Sequence, residues 1–214
     1  MSSKFETISG STDRAFPEYD LPPAEPLGLA QQWISTAKEL GVREPLALAL
    51  ATADGDGHAS NRMVAIVDVS ARGVIFTSHL TSRKARDIAA TGWGSGMLYW
   101  RETAQQLSIS GPIVRLSDSE EEALWNARPV PLHSMTTASR QSEAFTDFAD
   151  IARLREEAER LGASGLPLPR PPRFAAFRLE PVVVEFWAAA SDRLHRRLRY
   201  ERRTDGWEVA RLQP

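Results

Sequence analysis

The spacing of apolar residues predicts one helix followed by a series of short strands. From Leu27 to Leu40 the apolar residues recur every three or four positions, and Gly41 follows as a helix stop. Beyond this helix, short runs rich in valine, isoleucine, leucine and aromatic residues alternate with turn sequences such as that at 54–57. We expect strands at 47–52, 63–69, 74–78, 97–100, 107–116, 174–179 and 182–187, and a hairpin over 193–212 that turns at 204–206.

Three further helices are predicted between the strands. They cover 82–90, a segment from Ser117 to Arg128 in which Ser117 and Glu120 fit a capping box, and 141–161. Most links between strands are too short for helical crossovers, so the strands are expected to pair antiparallel. The pattern predicts a mostly β domain over residues 27–214, an antiparallel barrel with flanking helices. Residues 1–26, which hold four prolines, are expected to form an extended or disordered arm.

Composition narrows the chemistry that this domain can perform. The 214 residues include no cysteine, which excludes disulfides, thiolate metal sites and cysteine nucleophiles. The four histidines lack the spacing of metal ligands, so no metal is expected. The 28 acidic residues exceed the 26 basic ones, which argues against a surface built for nucleic acid. No apolar run is long enough for a membrane helix and the first residues lack a secretory signal, so we expect a cytoplasmic protein without a membrane partner.

The triplet Ser82, Arg83 and Lys84 is a candidate anion site. It opens a predicted helix directly after a strand, where unpaired backbone N–H groups and two cations favour a negative ligand. Ser78 at the end of that strand and Arg62 on an earlier strand could face the same place, and the set would suit a phosphomonoester. The alternative is an N-cap serine followed by two solvated cations.

A second candidate lies at the C-terminal hairpin. If 193–203 is a strand, its two-residue period puts Arg193, His195, Arg197 and Arg199 on one face, which needs water or an anion. The alternative is a charged edge strand that discourages pairing with other chains. Gln106 lies inside a predicted strand, where its amide can donate and accept as the edge of a flavin or base ring requires, although a solvated glutamine is the commoner case.

Several motifs together resemble the pyridoxamine 5′-phosphate oxidase family over residues 27–214. They are Asn61 to Val64, Ser82 to Lys84, Gln105 and Gln106, Arg128 and Pro129, Arg140 to Ser142, Glu185 to Trp187, and Arg193 to Arg197. The resemblance implies a split barrel that binds FMN at the interface of a homodimer, with sites built from both subunits. The positions that match FMN contacts of the family are Arg62, Met63, Val64, Val67, Thr77, Ser78, Ser82, Arg83, Lys84, Gln106, Gln141, Ser142, Trp187 and Arg197. Arg193 and His195 match residues that face the substrate over the flavin ring.

Departures from the family pattern concern the substrate pocket. Members that oxidise pyridoxamine phosphate carry a lysine where this chain has Val67, and hold the substrate phosphate with a tyrosine, an arginine and a serine where it has Leu124, Arg128 and Leu132. Each lost donor to a charged group costs about 1.5–3 kcal/mol. The substrate is therefore not expected to be a phosphate ester. A flat, largely apolar molecule that bears carboxylates fits better.

This pattern resembles the branch of the family that works in phenazine biosynthesis. The resemblance implies an FMN-dependent oxidase that makes a hexahydro- or tetrahydrophenazine carboxylate more aromatic, with O2 as acceptor and H2O2 as product. Arg193 and His195 would act at the substrate, and Arg128, Val67, Leu124 and Leu132 would line its pocket. Two alternatives remain: a pyridoxamine or pyridoxine 5′-phosphate oxidase, and a split-barrel protein that binds flavin without turnover.

Overall fold

Nine antiparallel strands form the main body of the computed structural model, which describes residues 13–214. The strands are β1 (Ala47–Ala53), β2 (Ala59–Ser70), β3 (Gly73–His79), β4 (Trp93–Trp100), β5 (Gln105–Arg115), β6 (Phe174–Leu179), β7 (Val183–Ala188), β8 (Arg196–Arg203) and β9 (Gly206–Leu212). The helices are α1 (Pro26–Glu39), α2 (Arg83–Thr91), α3 (Asp118–Ala127), α4 (His133–Ala138) and α5 (Ala149–Gly162). Short 3₁₀ helices lie at Pro17–Tyr19 and Val130–Leu132.

Six of the strands close into a barrel and three extend it. The order β4–β1–β2–β3–β6–β5 is closed by pairing of β5 with β4, and β7, β8 and β9 continue from β5. Strand β5 divides between two neighbours, because residues 105–110 pair with β7 and residues 113–115 pair with β6. The mostly β, antiparallel barrel with flanking helices that the sequence predicts is confirmed. The capping box at Ser117 is also present, since Ser117 and Glu120 bond reciprocally.

Strict alternation along the barrel strands separates an inner face from an outer face. On β1 the inward Leu48 and Leu50 are fully buried, whereas the alanines between them face outward. The glycine-rich run at 92–96 belongs to this packing, because a Cβ at Gly96 would lie 2.7 Å from Leu48 and one at Gly94 would lie 2.5 Å from Ile113. These glycines therefore let side chains of the core reach strand β4, and the run is not a nucleotide-binding loop.

Helix α1 and the segment before it pack together against the strands. The Trp33 ring on α1 packs edge-on against Phe16 at 4.9 Å and Phe186 at 5.1 Å between ring centroids. Phe16 is 2% exposed, and Tyr200 Oη donates to the carbonyl of Pro23. Residues 13–25 of the predicted extended or disordered arm therefore contact the core through Phe16, whereas Leu21 in the same segment is 84% exposed. Residues 1–12 of the predicted arm lie outside the described residues.

The predicted helix over 141–161 begins later than expected. Helix α5 starts at Ala149, and the Asp150 carboxylate accepts from the backbone N–H groups of Thr146 and Asp147, which ends the preceding loop. Phe145 and Phe148, which extend the apolar period of α5, are 55% and 88% exposed. The apolar period predicts a helix over 141–148, but this segment forms a loop. It makes hydrogen bonds to β3 and α2, described below, that a helix would break.

The outer face of the barrel exposes several large apolar side chains. Met63 on β2 and Met97 on β4 both pair with Ala49 of β1, so they lie in one row on this face. Their exposed fractions are 61% and 39%, and Trp93 and Tyr99 on the same face of β4 are similarly exposed. An apolar patch of this kind marks an interaction surface. No helix in residues 13–214 is long and apolar enough to cross a membrane.

Candidate functional site

Two serine hydroxyl groups and one lysine ammonium group lie close together where β3 leads into α2. Ser82 is the N-cap of α2, and its Oγ accepts from the backbone N–H of Ala85. Ser78 Oγ lies 3.0 Å from Ser82 Oγ and accepts from Lys84 Nζ at 3.1 Å. Both serines are almost completely buried. The start of this helix thus holds a connected group of polar atoms from Ser78, Ser82 and Lys84, whereas Arg83 is exposed.

The loop after α4 lies across this helix terminus. Ser142 Oγ accepts from the backbone N–H of Arg83 at 3.1 Å, and Gln141 Oε1 accepts from Ser78 Oγ at 3.1 Å and from Lys84 Nζ at 3.4 Å. The backbone N–H of Gln141 donates to Nδ1 of the buried His79 at 3.3 Å. Ser142 has a φ of +69°, a left-handed conformation that non-glycine residues seldom adopt. These bonds bring Gln141 and Ser142 to the site although they are distant in sequence.

Arg62 reaches the same place from β2 and is held by residues that the sequence analysis missed. Its Nη1 donates to Thr52 Oγ1 at 2.7 Å and to the Leu50 carbonyl at 3.2 Å, and its Nη2 donates to Ser60 Oγ. Thr52 and Ser60 in turn donate to Asp87 Oδ2 at 2.6 and 2.8 Å. One signal in the sequence is that Thr52 continues the inward positions of Leu48 and Leu50, where a hydroxyl needs a buried partner.

The charged residues at this helix terminus influence one another's pKa values and, with their polar neighbours, form one site, which we call the cation cluster. Its members are Arg62, Ser78, Ser82, Arg83, Lys84, Gln141 and Ser142. Burial lowers the pKa of Lys84, and the charge of Arg62 lowers it further. Burial also lowers the pKa of Arg62, with an added contribution from Arg83. The cluster holds three cations, and the charges of Arg62 and Arg83 act on the neighbouring carboxylate of Asp87. A dianionic phosphomonoester balances that excess charge, so the residues fit the phosphate of FMN.

A second set of predicted residues lies in a row across three strands. Gln106 on β5 is paired with Trp187 on β7, and Trp187 is paired with Arg197 on β8. Arg197 Nε donates to Glu185 Oε1 at 2.8 Å, and its Nη1 donates to the Gln213 carbonyl. We call Gln106, Trp187 and Arg197 the outer row. Their side chains share the face of the sheet that carries Tyr99, which pairs with Gln106.

The predicted strand face at Arg193 and His195 is wrong. Strand β8 begins at Arg196, and both residues lie in the loop between β7 and β8, where Arg193 has a φ of +67°. The reason is a hydrogen bond within the loop, from the backbone N–H of Ala190 to His195 Nδ1 at 3.1 Å. The neutral imidazole therefore carries its hydrogen on Nε2. The centroids of the His195 and Trp187 rings lie 4.8 Å apart, so the loop contacts the outer row.

The cation cluster and the outer row lie on opposite faces of the shared sheet. Arg62 is in register with Leu50, Leu50 with Gly96, and Gly96 with Ile109, so Arg62 points to the side of the buried Ile109. Gln106 is three residues from Ile109 on β5 and points to the other side. Within the described chain no hydrogen bond or ion pair joins the two sets. A single chain therefore presents the two sets on different faces of its sheet.

The remaining predicted site residues are spread over several elements. Val67 sits at an irregularity in the β2–β3 pairing and is 45% exposed on the outer face. Leu124 lies on α3, Arg128 directly after it, and Leu132 in the following 3₁₀ helix, where it is 48% exposed. Arg128 Nη2 donates to Thr136 Oγ1 at 3.4 Å, and burial lowers the Arg128 pKa. Met63, Val64 and Thr77 lie on β2 and β3 near the cation cluster in sequence.

Two other features lie apart from these residues. A cavity of about 600 Å³ is lined by residues of α4, α5 and the loop after α5, among them Met135, Arg155 and Leu166. In the β1–β2 turn, Asp54, Asp56 and His58 bring possible metal-ligand atoms within 4.8 Å of one another. Asp54 Oδ1 accepts from the backbone N–H groups of Asp56 and His58, which is the geometry of a polar turn.

Comparison with known families decides the relationship that the motifs indicate. The family model described as "Pyridoxamine 5′-phosphate oxidase" matches residues 35–188. The chain belongs to the pyridoxamine 5′-phosphate oxidase family. A second model, described as "Pyridoxine 5′-phosphate oxidase C-terminal dimerisation region", matches residues 174–214, which include β7, β8 and the loop between them. The predicted family membership is confirmed.

Individual relatives show where in the family the chain is most similar. A dihydrophenazinedicarboxylate synthase from Burkholderia lata is 54% identical over 100% of this chain and 99% of the relative. A pyridoxine/pyridoxamine 5′-phosphate oxidase from Acaryochloris marina is 35% identical over 89% of this chain and 87% of the relative. The crystal structure of PhzG from Burkholderia lata in complex with tetrahydrophenazine-1-carboxylic acid superposes with a TM-score of 0.92 at 55% identity, over 96% of this chain and 100% of that one.

Proposed function

We propose that this chain is an FMN-dependent oxidase of phenazine biosynthesis. Its substrate is a reduced phenazine carboxylate, and O2 is the final acceptor. The higher identity to the dihydrophenazinedicarboxylate synthase than to the pyridoxine/pyridoxamine 5′-phosphate oxidase supports this choice within the family. The similarity to a protein crystallised with tetrahydrophenazine-1-carboxylic acid supports the substrate class.

One observation supports the choice of substrate: Arg193, which the resemblance places at the substrate, has an available guanidinium, and the positions proposed to line the pocket are apolar. Val67, Leu124 and Leu132 offer no donor to a phosphate ester, while the Arg193 guanidinium is exposed and has no hydrogen-bond partner within residues 13–214. Guanidinium pairs with a carboxylate through two parallel N–H bonds. A flat molecule with an apolar ring system and a carboxylate matches this combination, and a phosphorylated pyridine does not.

The cofactor is proposed to lie between two subunits. The cation cluster of one subunit holds the FMN phosphate, and the outer row of the other, Gln106, Trp187 and Arg197, faces the isoalloxazine ring. The opposite orientation of the two sets within one chain supports this arrangement. The matched dimerisation region and the exposed apolar residues of the outer face support a homodimer.

Bound FMN supplies the two-electron acceptor. Arg193 would fix the substrate carboxylate and so orient the ring carbon that gives up hydrogen for transfer to the cofactor. His195 offers its Nε2–H to the substrate, while the bond from Ala190 to Nδ1 holds the ring orientation. Each turnover removes two hydrogens, as a hydride and a proton, and leaves one more double bond in the ring system. O2 takes up the two electrons and two protons and leaves as H2O2.

The experiment that tests this function supplies two substrates to the purified holoprotein under air. We expect a tetrahydrophenazine carboxylate to consume O2 and to gain the absorbance of a more aromatic ring, and pyridoxamine 5′-phosphate to give no turnover. The variant Arg193→Gln should raise KM for the phenazine about tenfold without loss of flavin. Robust turnover of pyridoxamine 5′-phosphate would reject the proposal in favour of the vitamin pathway. A flavin that no reduced phenazine reduces anaerobically would indicate a binding protein without turnover.

A further inference from the structure

Asp87 is a buried carboxylate inside a site proposed to bind a dianion. It lies on α2, is 4% exposed and sits 3.6 Å from Arg62 Nη2. Burial by itself raises its pKa, but the hydrogen bonds from Thr52 and Ser60 and the charges of Arg62 and Arg83 lower the pKa by more. Its net pKa lies below the usual value, so Asp87 is ionised at neutral pH. A negative charge beside a phosphate site opposes binding unless it performs another task.

That task is visible in the direction of the hydrogen bonds. Ionised Asp87 can only accept, so Thr52 Oγ1 and Ser60 Oγ must donate their single hydrogens to it. The lone pairs of both hydroxyls are then left for the guanidinium of Arg62, which donates one hydrogen to each. The carboxylate therefore sets the polarity of both hydroxyls.

The same bonds determine which hydrogens of Arg62 remain available. Nη1 uses its two hydrogens on Thr52 Oγ1 and the Leu50 carbonyl, and Nη2 uses one on Ser60 Oγ. The Nε–H is left without a hydrogen-bond acceptor in the described chain, while Nη2 also pairs with Asp87 Oδ2 at 3.6 Å. The charge of Arg62 lowers the pKa of Lys84. The clamped guanidinium thus keeps its Nε–H free and lies within electrostatic range of the ammonium group of the cation cluster.

We propose that Asp87 is a positioning residue that, through Thr52 and Ser60, orients Arg62 towards the phosphate of bound FMN. The proposal rests on the proposed FMN site. This role differs from a purely electrostatic one. A carboxylate that acted only through its charge would weaken phosphate binding, so removal of that charge would strengthen FMN binding.

The test compares binding of FMN and of riboflavin, which lacks the phosphate, to flavin-free full-length protein by quenching of flavin fluorescence. In Asp87→Asn we expect the Kd for FMN to rise about tenfold and the Kd for riboflavin to stay within about twofold. Thr52→Val and Ser60→Ala remove the relay without changing any charge, and should shift the FMN Kd in the same direction. Asp68→Asn, an exposed carboxylate on the same strand as Arg62, is the matched control and should change neither Kd.

The possible outcomes separate this inference from the function on which it rests. Tighter FMN binding in Asp87→Asn, or an equal loss of FMN and riboflavin binding, would overturn the positioning role. If Asp87→Asn does not fold, unchanged FMN binding in both Thr52→Val and Ser60→Ala would overturn it. A wild-type chain that binds FMN no better than riboflavin would reject the proposed phosphate site and the inference together.

Discussion

The cation cluster and the outer row differ in how far a single chain completes them. The cluster is braced internally: its serines, Gln141 and Arg62 bond to one another or to neighbours on β1, β3 and α2. The outer row lies on a sheet face that also carries the exposed Met97 and Tyr99, beside polar residues such as Ser108. The contacts within one chain thus complete the cation cluster, whereas the proposed two-subunit site would complete the outer row with a second subunit.

The largest loss of FMN binding is expected when a charge is introduced on the outer face of the barrel. Met97→Asp places a carboxylate on the proposed interface, and the twofold symmetry of a dimer repeats the cost of several kcal/mol per buried ion in both subunits. We expect a monomer in analytical ultracentrifugation and an FMN Kd more than about 100-fold weaker. Leu21→Asp, at an exposed apolar residue outside this face, is the control. A Met97→Asp dimer with normal FMN content would contradict the two-subunit site.

Acid should affect the cation cluster through His79. Burial, followed by the charges of Arg173, Lys84 and Arg128, lowers the pKa of His79 to about 4 from 6.5. The unfolded chain therefore binds more protons than the folded chain between pH 6.5 and 4, and the free energy of unfolding falls as the pH falls through this window, by about 3 kcal/mol.

Urea unfolding at pH 7 and pH 4.5 measures this loss. In His79→Asn the contribution of His79 to the pH dependence should disappear, while Asn can still accept the backbone N–H of Gln141. An identical pH dependence in wild type and His79→Asn would show that the buried imidazole does not carry it.

The smallest of the expected effects distinguishes the ligand groups that the two regions face. Lys84→Ala should weaken FMN binding about tenfold and leave riboflavin binding nearly unchanged, because the proposed site places the ammonium at the phosphate alone. Arg197→Ala should weaken the binding of both flavins alike, because the proposed site places the outer row at the ring. Fluorescence titration of both flavins with each variant measures the difference. An FMN-specific loss in Arg197→Ala would place its guanidinium at the phosphate instead.

The two regions also differ in how well the sequence predicts them. Ser82, Arg83 and Lys84 are adjacent, so their meeting at one helix terminus follows from local structure alone. Asp87 was not predicted, because an acidic residue inside a helix gives no sign that it faces two hydroxyls from β1 and β2. The prediction that Arg193 and His195 lie on a strand was wrong for a related reason. The backbone N–H of Ala190 donates to His195 Nδ1, and this bond holds the segment as a loop.

The sequence by itself determined the strand and helix alternation, the antiparallel barrel and the family, because periodicity, short links and motif spacing are local properties. It also carries the prediction that Val67, Leu124 and Leu132 line an apolar substrate pocket. Only the tertiary structure decided that Asp87 holds Arg62, that residues 141–148 form a loop, and that the cluster and the outer row face opposite ways. These facts depend on which strands pair and in which register, and a shift of one residue would turn every side chain to the other face.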